Sequence, residues 1–136
     1  MSILTRNELL SANKRRYAVV SIPTGGECRL QSLTAGEMRT FRSSLTDAAG
    51  EMRADRAERL QELLIAKTLV DENCNREFSD DDALCGVFDD LDGAVLAAIY
   101  RAARLHSGFA ADADFAEVEA AVKNSLNGRE SAEHES

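Results

Sequence analysis

The run Asp71-Glu72-Asn73-Cys74-Asn75-Arg76, continued to Asp82, is where residue type and spacing come nearest to chemistry in this sequence. Oxygen-bearing side chains at the first, third, fifth and twelfth positions of such a run match a calcium loop between two helices, because a hard cation collects oxygens from a tightly turned backbone. The pattern fails twice. Its sixth position, where the sharp turn requires glycine, is Arg76, and its twelfth is Asp82, whose short arm is poor for ligation by both oxygens. A polar turn between helices, with Asp and Asn side chains bonding their own backbone, outweighs the calcium reading. Asp80, Asp81, Asp82, Asp89, Asp90 and Asp92 form a carboxylate-rich patch of the kind that holds magnesium or supplies acid and base. Carboxylates in the first turns of two successive helices also complement the helix dipoles, and that structural role carries more weight.

Nucleophilic and phosphate chemistry leave still less trace. His106 ends an apolar helical pattern and His134 lies in a polar tail, neither beside a nucleophile, and no GxSxG, HExxH, Walker or GxGxxG pattern occurs. Lys14-Arg15-Arg16 beside Tyr17, with Arg29 further on, is the one basic cluster, fit to touch phosphate or an acidic partner but read first as a solvated lead-in to a strand. The expectation is a chain that is not an enzyme, with no catalytic, metal or cofactor residues.

Charge and composition agree. Of the 136 residues, 1–67 carry 11 Lys/Arg against 8 Asp/Glu, a balance of +3, while 68–136 carry 5 against 16, a balance of −11. Acidity at a net −8 opposes nucleic-acid binding, which needs clustered cations, and favours steering toward basic partners. Cys28, Cys74 and Cys85 are odd in number and lack CxxC spacing, as in a reducing compartment. The longest apolar runs are a few residues, so a cytoplasmic protein with no membrane association is expected.

The elements follow from caps and periodicity. Thr5 with Glu8 and Thr34 with Glu37 write two capping boxes, flanked by the staple pairs Leu4/Leu9 and Leu33/Met38. Tyr17–Ile22, the turn Pro23-Thr24-Gly25-Gly26 and Glu27–Gln31 predict a β-hairpin. Met38, Phe41 and Leu45 make a helical stripe over about 34–47. A long central helix is expected over about 54–70, with Asp55 and Arg59 paired outside. Another, opened by Ser79 and Asp82, carries Ala83, Leu84, Val87, Phe88 and Leu91. The next runs from Asp92-Gly93 to Ser107-Gly108. After a linker at 110–113, Asp114 and Glu117 cap a last amphipathic helix through Phe115, Val118, Val122 and Leu126, ended by Asn127-Gly128. The expected fold is mainly α: a short N-terminal helix, one β-hairpin, a compact bundle of about four helices within 1–109, a linker and helix at 110–128, and a disordered tail at 129–136.

Read in order, Leu4-Thr5-Arg6-Asn7-Glu8-Leu9-Leu10, the hairpin closing on Arg29-Leu30-Gln31-Ser32-Leu33-Thr34-Ala35-Gly36-Glu37, then Leu69-Val70-Asp71-Glu72, Phe78-Ser79-Asp80-Asp81-Asp82 and Leu91-Asp92-Gly93-Ala94 make a recognisable series. Over residues 1–109 it resembles the tail assembly chaperones of long-tailed, siphovirus-type phages and prophages, including gene transfer agents. Asn73-Cys74-Asn75-Arg76 and Thr24 depart from that pattern, which often has glycine and an aromatic at those two turns. The resemblance implies a non-enzymatic protein that binds the tape measure protein, and the tail tube protein, keeps them soluble in the host cytoplasm and is absent from the mature virion. It also implies a longer form made by ribosomal frameshifting in many members.

A long helical client with apolar stripes calls for an apolar groove rimmed by charge. Leu60, Leu63, Leu64, Phe88, Leu91, Leu96 and Ile99 are the candidate partner-binding residues, with membership of the core as the competing role of each. Val19, Val20, Arg29 and Leu30 are the candidate assembly edge, since an isolated hairpin is marginal and offers unpaired backbone. Two alternatives stay open: a self-assembling structural tail protein, a homo-oligomer through that edge, and a divalent-metal-dependent switch or enzyme built on the aspartates.

Overall fold

A computed structural model describes residues 3–11 and 15–135, without the side chains of residues 111 and 125–135. Among these residues the order is α1 (Arg6–Ser11), β1 (Tyr17–Ser21), β2 (Glu27–Gln31), α2 (Ala35–Ser43), α3 (Ala54–Ala57), α4 (Leu60–Thr68), β3 (Leu69–Val70), α5 (Asp80–Leu84), α6 (Gly93–His106), a 3-10 turn at Phe109–Ala111, and α7 (Ala113–Glu135). The chain is mainly helical, but it is not a bundle with a hairpin attached: a three-stranded antiparallel sheet, ordered β1-β2-β3, is built into it.

The capping boxes form as the side-chain chemistry dictates. The Thr34 and Glu37 amides donate to each other's side chains at 2.8 and 3.2 Å, and those of Ser79 and Asp82 do the same at 2.9 and 3.1 Å. In α1 the Thr5 and Glu8 bonds are longer, 3.4 and 3.3 Å. The staple expected there is missing, because Leu4 and Leu9 are both exposed and α1 buries no residue.

β1 and β2 pair from Tyr17↔Gln31 to Ser21↔Glu27, and β3 adds Leu69 opposite Leu30 and Val70 opposite Arg29. That third strand falls where a helix was expected to continue. The Thr68 hydroxyl donates to the Leu64 carbonyl at 2.9 Å, and Leu69 then turns extended. A two-residue strand is invisible to periodicity, because the bonds that make it come from β2, far away in sequence.

The expected 54–70 helix is also broken near its start. Arg59 leaves helical geometry, with φ −111° and ψ 22°. Its guanidinium binds the Asp89 carboxylate instead of Asp55, which pairs with Arg53 at 3.3 Å. The expected 83–91 helix stops at Leu84, because Gly86 takes φ +83°, and a Cβ there would stand 2.5 Å from the Asp89 carboxylate.

The core centres on α4, which buries Leu60, Leu63, Leu64, Ile65, Ala66 and Thr68. A second focus joins what was expected to be a separate helix. Phe41, Phe109 and Phe115 are fully buried, with Phe109 stacked 4.1 Å from Phe115 and 5.7 Å from Phe41. The segment at 110–113 is therefore no free linker. Asp112, not Asp114, caps α7, its Oδ1 accepting the Asp114 and Phe115 amides at 3.0 and 3.3 Å. Tyr100 and Arg104 of α6 hold Glu119 of α7, the arginine through three hydrogen bonds of 2.7 to 3.0 Å. Burial and the Glu119 carboxylate push the Tyr100 phenol well above its ordinary range.

α7 runs through Asn127-Gly128 to Glu135, where a stop and disorder were expected. One interior glycine costs a helix only about 1 kcal/mol relative to alanine, and the residues that follow are largely helix formers. The expected apolar contact of Leu126, and the side chain of His134, lie outside the described residues. Among the described residues no helix is long and apolar enough to cross a membrane.

Candidate partner-binding groove

The calcium-like run folds as a self-contained loop. Asp71 donates its amide to the Asn75 carbonyl at 2.8 Å, Cys74 donates back to the Asp71 carbonyl at 3.0 Å, and Asp71 Oδ1 accepts the Asn73 and Asn75 amides at 2.8 and 3.0 Å. The carboxylate is occupied by its own backbone. Arg76, in the sixth position, turns inward: its Nε donates to the Ala66 carbonyl and its Nη2 to Asp80, both at 3.0 Å. Lys67 meets the other Asp80 oxygen at 3.1 Å. Burial disfavours the Asp80 charge, but these two cations outweigh it and hold the carboxyl below its usual range. Among the described residues, no group of three or more His, Cys, Asp or Glu side chains converges as ligands for a metal ion.

The basic cluster is likewise absorbed by the fold. Arg15 donates to the Ser32 carbonyl and to Glu37, each at 3.0 Å, and Arg16 donates to the His106 carbonyl at 2.9 Å. His106, the last residue of α6, places Nε2 3.1 Å from the Arg16 carbonyl. Glu37 is held below its usual range, because the Thr34 amide and Arg15 outweigh burial. Lys14 lies outside the described residues.

One of the open clefts is mainly apolar. A groove of about 410 Å³ lies between the hairpin and the turn after α5, walled by Ile22, Leu69, Phe78, Val87, Phe88 and Leu91. Phe78 and Phe88 meet edge to face at 4.8 Å. Ile65 and Ile99 also line it, as does Cys28, whose thiol burial pushes up. Val87 and Leu91 are 48% and 38% exposed, and Asp90 stands among the lining residues. A concave apolar surface with a carboxylate at its edge can receive one face of an amphipathic helix.

This redistributes the candidate residues. Phe88, Leu91 and Ile99 line the groove. Leu60, Leu63 and Leu64 do not, being buried in the core, and Leu96 packs partly buried against that core. α4 carries four consecutive apolar residues, Leu63-Leu64-Ile65-Ala66, all buried, with Gln61 at the surface, so its apolar side chains fill the core rather than present a face. The groove's other walls come from the hairpin, β3 and the loops flanking α5, so only the fold assembles them.

The assembly edge is half of what was expected. Val19 and Val20 lie on β1, which is an edge, but Arg29 and Leu30 lie on β2, which β3 makes the central strand. Ser32 donates to Arg16 at 2.8 Å and Ile22 to Gly26 at 3.0 Å. By antiparallel alternation, Tyr17, Val19 and Ser21 therefore turn their backbone groups away from β2. Arg29 is tied across the sheet instead, its Nη1 donating to the Glu72 carbonyl at 2.9 Å.

No family model, no curated protein and no solved structure matches this chain.

Proposed function

We propose that this chain is a non-enzymatic binding protein that takes an amphipathic helix of a larger protein into the groove beside Val87 and Leu91. The observation that carries this reading is the exposed apolar lip, Val87 and Leu91, of a concave groove whose lining is apolar but for Asp90. An apolar floor with Asp90 at its margin suits a helix with a Leu- or Ile-rich stripe flanked by Lys or Arg. The resemblance of residues 1–109 supplies the client: the tape measure protein, and the tail tube protein with it, kept soluble in the host cytoplasm until the tail assembles. The test is co-expression with a tape measure protein. The wild-type chain raises that protein's soluble yield and co-purifies with it, whereas Val87→Asp with Leu91→Asp does neither while keeping a wild-type melting curve. Equal yields with and without the wild-type chain would rule the reading out.

A second reading, a structural tail protein that grows by strand addition, is favoured by β1. It is an open edge, and no charged residue lies between Arg16 and Glu27 to blunt it. Concentration-dependent fibres or rings that disappear with Val19→Lys would support that reading over the first.

A further inference from the structure

We propose that α1 of one copy of this chain docks into the groove of another, so that the protein associates head to tail. The inference shares the groove with the proposed function but not its client, and it stands or falls with the purified chain alone.

α1 is six residues long, far below the roughly 12 to 15 at which isolated helices become even marginal in water. It buries nothing, yet Ile3, Leu4, Leu9 and Leu10 around it are 94%, 51%, 62% and 57% exposed. Two large apolar side chains on one short capped helix and two just before it form a ligand without a described receptor. The groove, with Val87 and Leu91 at its lip, is a receptor without a described ligand.

Charge points the same way. α1 belongs to the half of the chain with balance +3; its own Arg6 and Glu8 offset each other, and of the Lys14-Arg15-Arg16 run that follows it in sequence, Arg15 is paired with Glu37 while the Arg16 guanidinium donates to a carbonyl and keeps its charge. Most of the groove's lining, from Leu69 to Ile99, belongs to the half with balance −11, and the Asp90 side chain has no hydrogen bond or ion pair among the described residues. A second copy of this chain brings a basic-flanked apolar helix to an acid-rimmed apolar groove. Because the two surfaces differ, the contact is heterologous, and it propagates into a chain or closes into a ring.

The experiment is light scattering coupled to size exclusion on three proteins: wild type, Leu9→Asp with Leu10→Asp, and Val87→Asp with Leu91→Asp. All four positions are exposed, and circular dichroism and melting curves check that each variant is folded. Wild type should rise above the 14.8 kDa of one chain between about 10 µM and about 1 mM, the range of weak specific contacts, and less so at high salt. Each variant alone stays at one chain's mass. An equimolar mixture of the two retains one intact interface, α1 of the groove variant in the groove of the α1 variant, and gives a dimer that grows no further. A wild type that stays monomeric over that range, a mixture that stays monomeric, or self-association untouched by the α1 changes overturns the proposal. The first outcome covers α1 folding back onto its own groove, and the last assigns self-association to the β1 edge.

Discussion

Two loops of this molecule, Asp47–Glu51 and Asp71–Asn75, share one backbone design and almost no sequence beyond the leading aspartate. In the first, Asp47 donates to the Glu51 carbonyl at 2.8 Å, Gly50 donates back to Asp47 at 3.0 Å, and Asp47 Oδ1 accepts the Ala49 and Glu51 amides at 2.9 and 3.0 Å. The corresponding bonds of the second loop agree within 0.1 Å: 2.8, 3.0, 2.8 and 3.0 Å. Each loop is closed by a β-bridge, Thr46↔Met52 in one and Val70↔Arg76 in the other. The first has a glycine in the left-handed position and no run of oxygen ligands. The second has the run and no glycine, with Cys74 at φ +65° where Gly50 takes +81°. Since both fold alike, the calcium-like spacing is not what shapes the second loop. One carboxylate gathering two amides is. The loops differ in their moorings: residues 47–51 are exposed, whereas the second loop is fastened by Arg29 at Glu72 and followed by the Arg76, Asp80 and Lys67 clamp.

The contrast can be broken most sharply at its shared residue. Asp71→Ala should cost about 2 kcal/mol in urea unfolding and Asp47→Ala about 1, because the second loop joins β3 to α5 and its aspartate is half-buried. Equal costs would show that the moorings add nothing. Gly50→Ala should lose about 1 kcal/mol, since an L side chain pays for positive φ. Cys74→Gly should move the other way by about 0.5 kcal/mol, relief of strain being partly offset by a more flexible unfolded chain. The smallest effect concerns acid. Asp80 has a lowered pKa in the folded chain, so the stability it contributes is present above the free-Asp value of about 3.9 and disappears as pH falls through its lower folded value. Stability of the wild type against pH should therefore fall more steeply below about pH 4 than that of Asp80→Asn, as read by thermal melts across that range.

Local chemistry was legible in the sequence where both partners lie within a few residues. The Thr34/Glu37 and Ser79/Asp82 boxes, the hairpin and the polar 71–76 turn are each written in neighbouring residues. What the sequence concealed depends on distant partners. Leu69-Val70 is a strand only because Arg29 and Leu30 pair with it, and the helix around Arg59 breaks where that residue reaches Asp89. Phe109 looked like a residue in a connection, yet it fills the space between Phe41 and Phe115. For the groove, Val87, Phe88 and Leu91 were readable together on one helical pattern and Ile99 on the next, but Ile22, Leu69 and Phe78 join them only through the tertiary fold. The apolar run Leu63-Leu64-Ile65-Ala66 was the available sign that α4 is core, because four consecutive apolar residues point in every direction around a helix and must all be buried.

The central claim is that this acidic chain binds an amphipathic helix between its hairpin and the turn after α5. Its most direct test is an NMR titration of the 15N-labelled Leu9→Asp, Leu10→Asp chain, which leaves the groove free of α1, with a basic amphipathic helical peptide taken from a tape measure protein. Amide shifts concentrated at Ile22, Leu69, Phe78 and 87–91, and abolished by Val87→Asp with Leu91→Asp, are the predicted result. Shifts confined to β1, or no shifts at peptide concentrations up to about 1 mM, would contradict it.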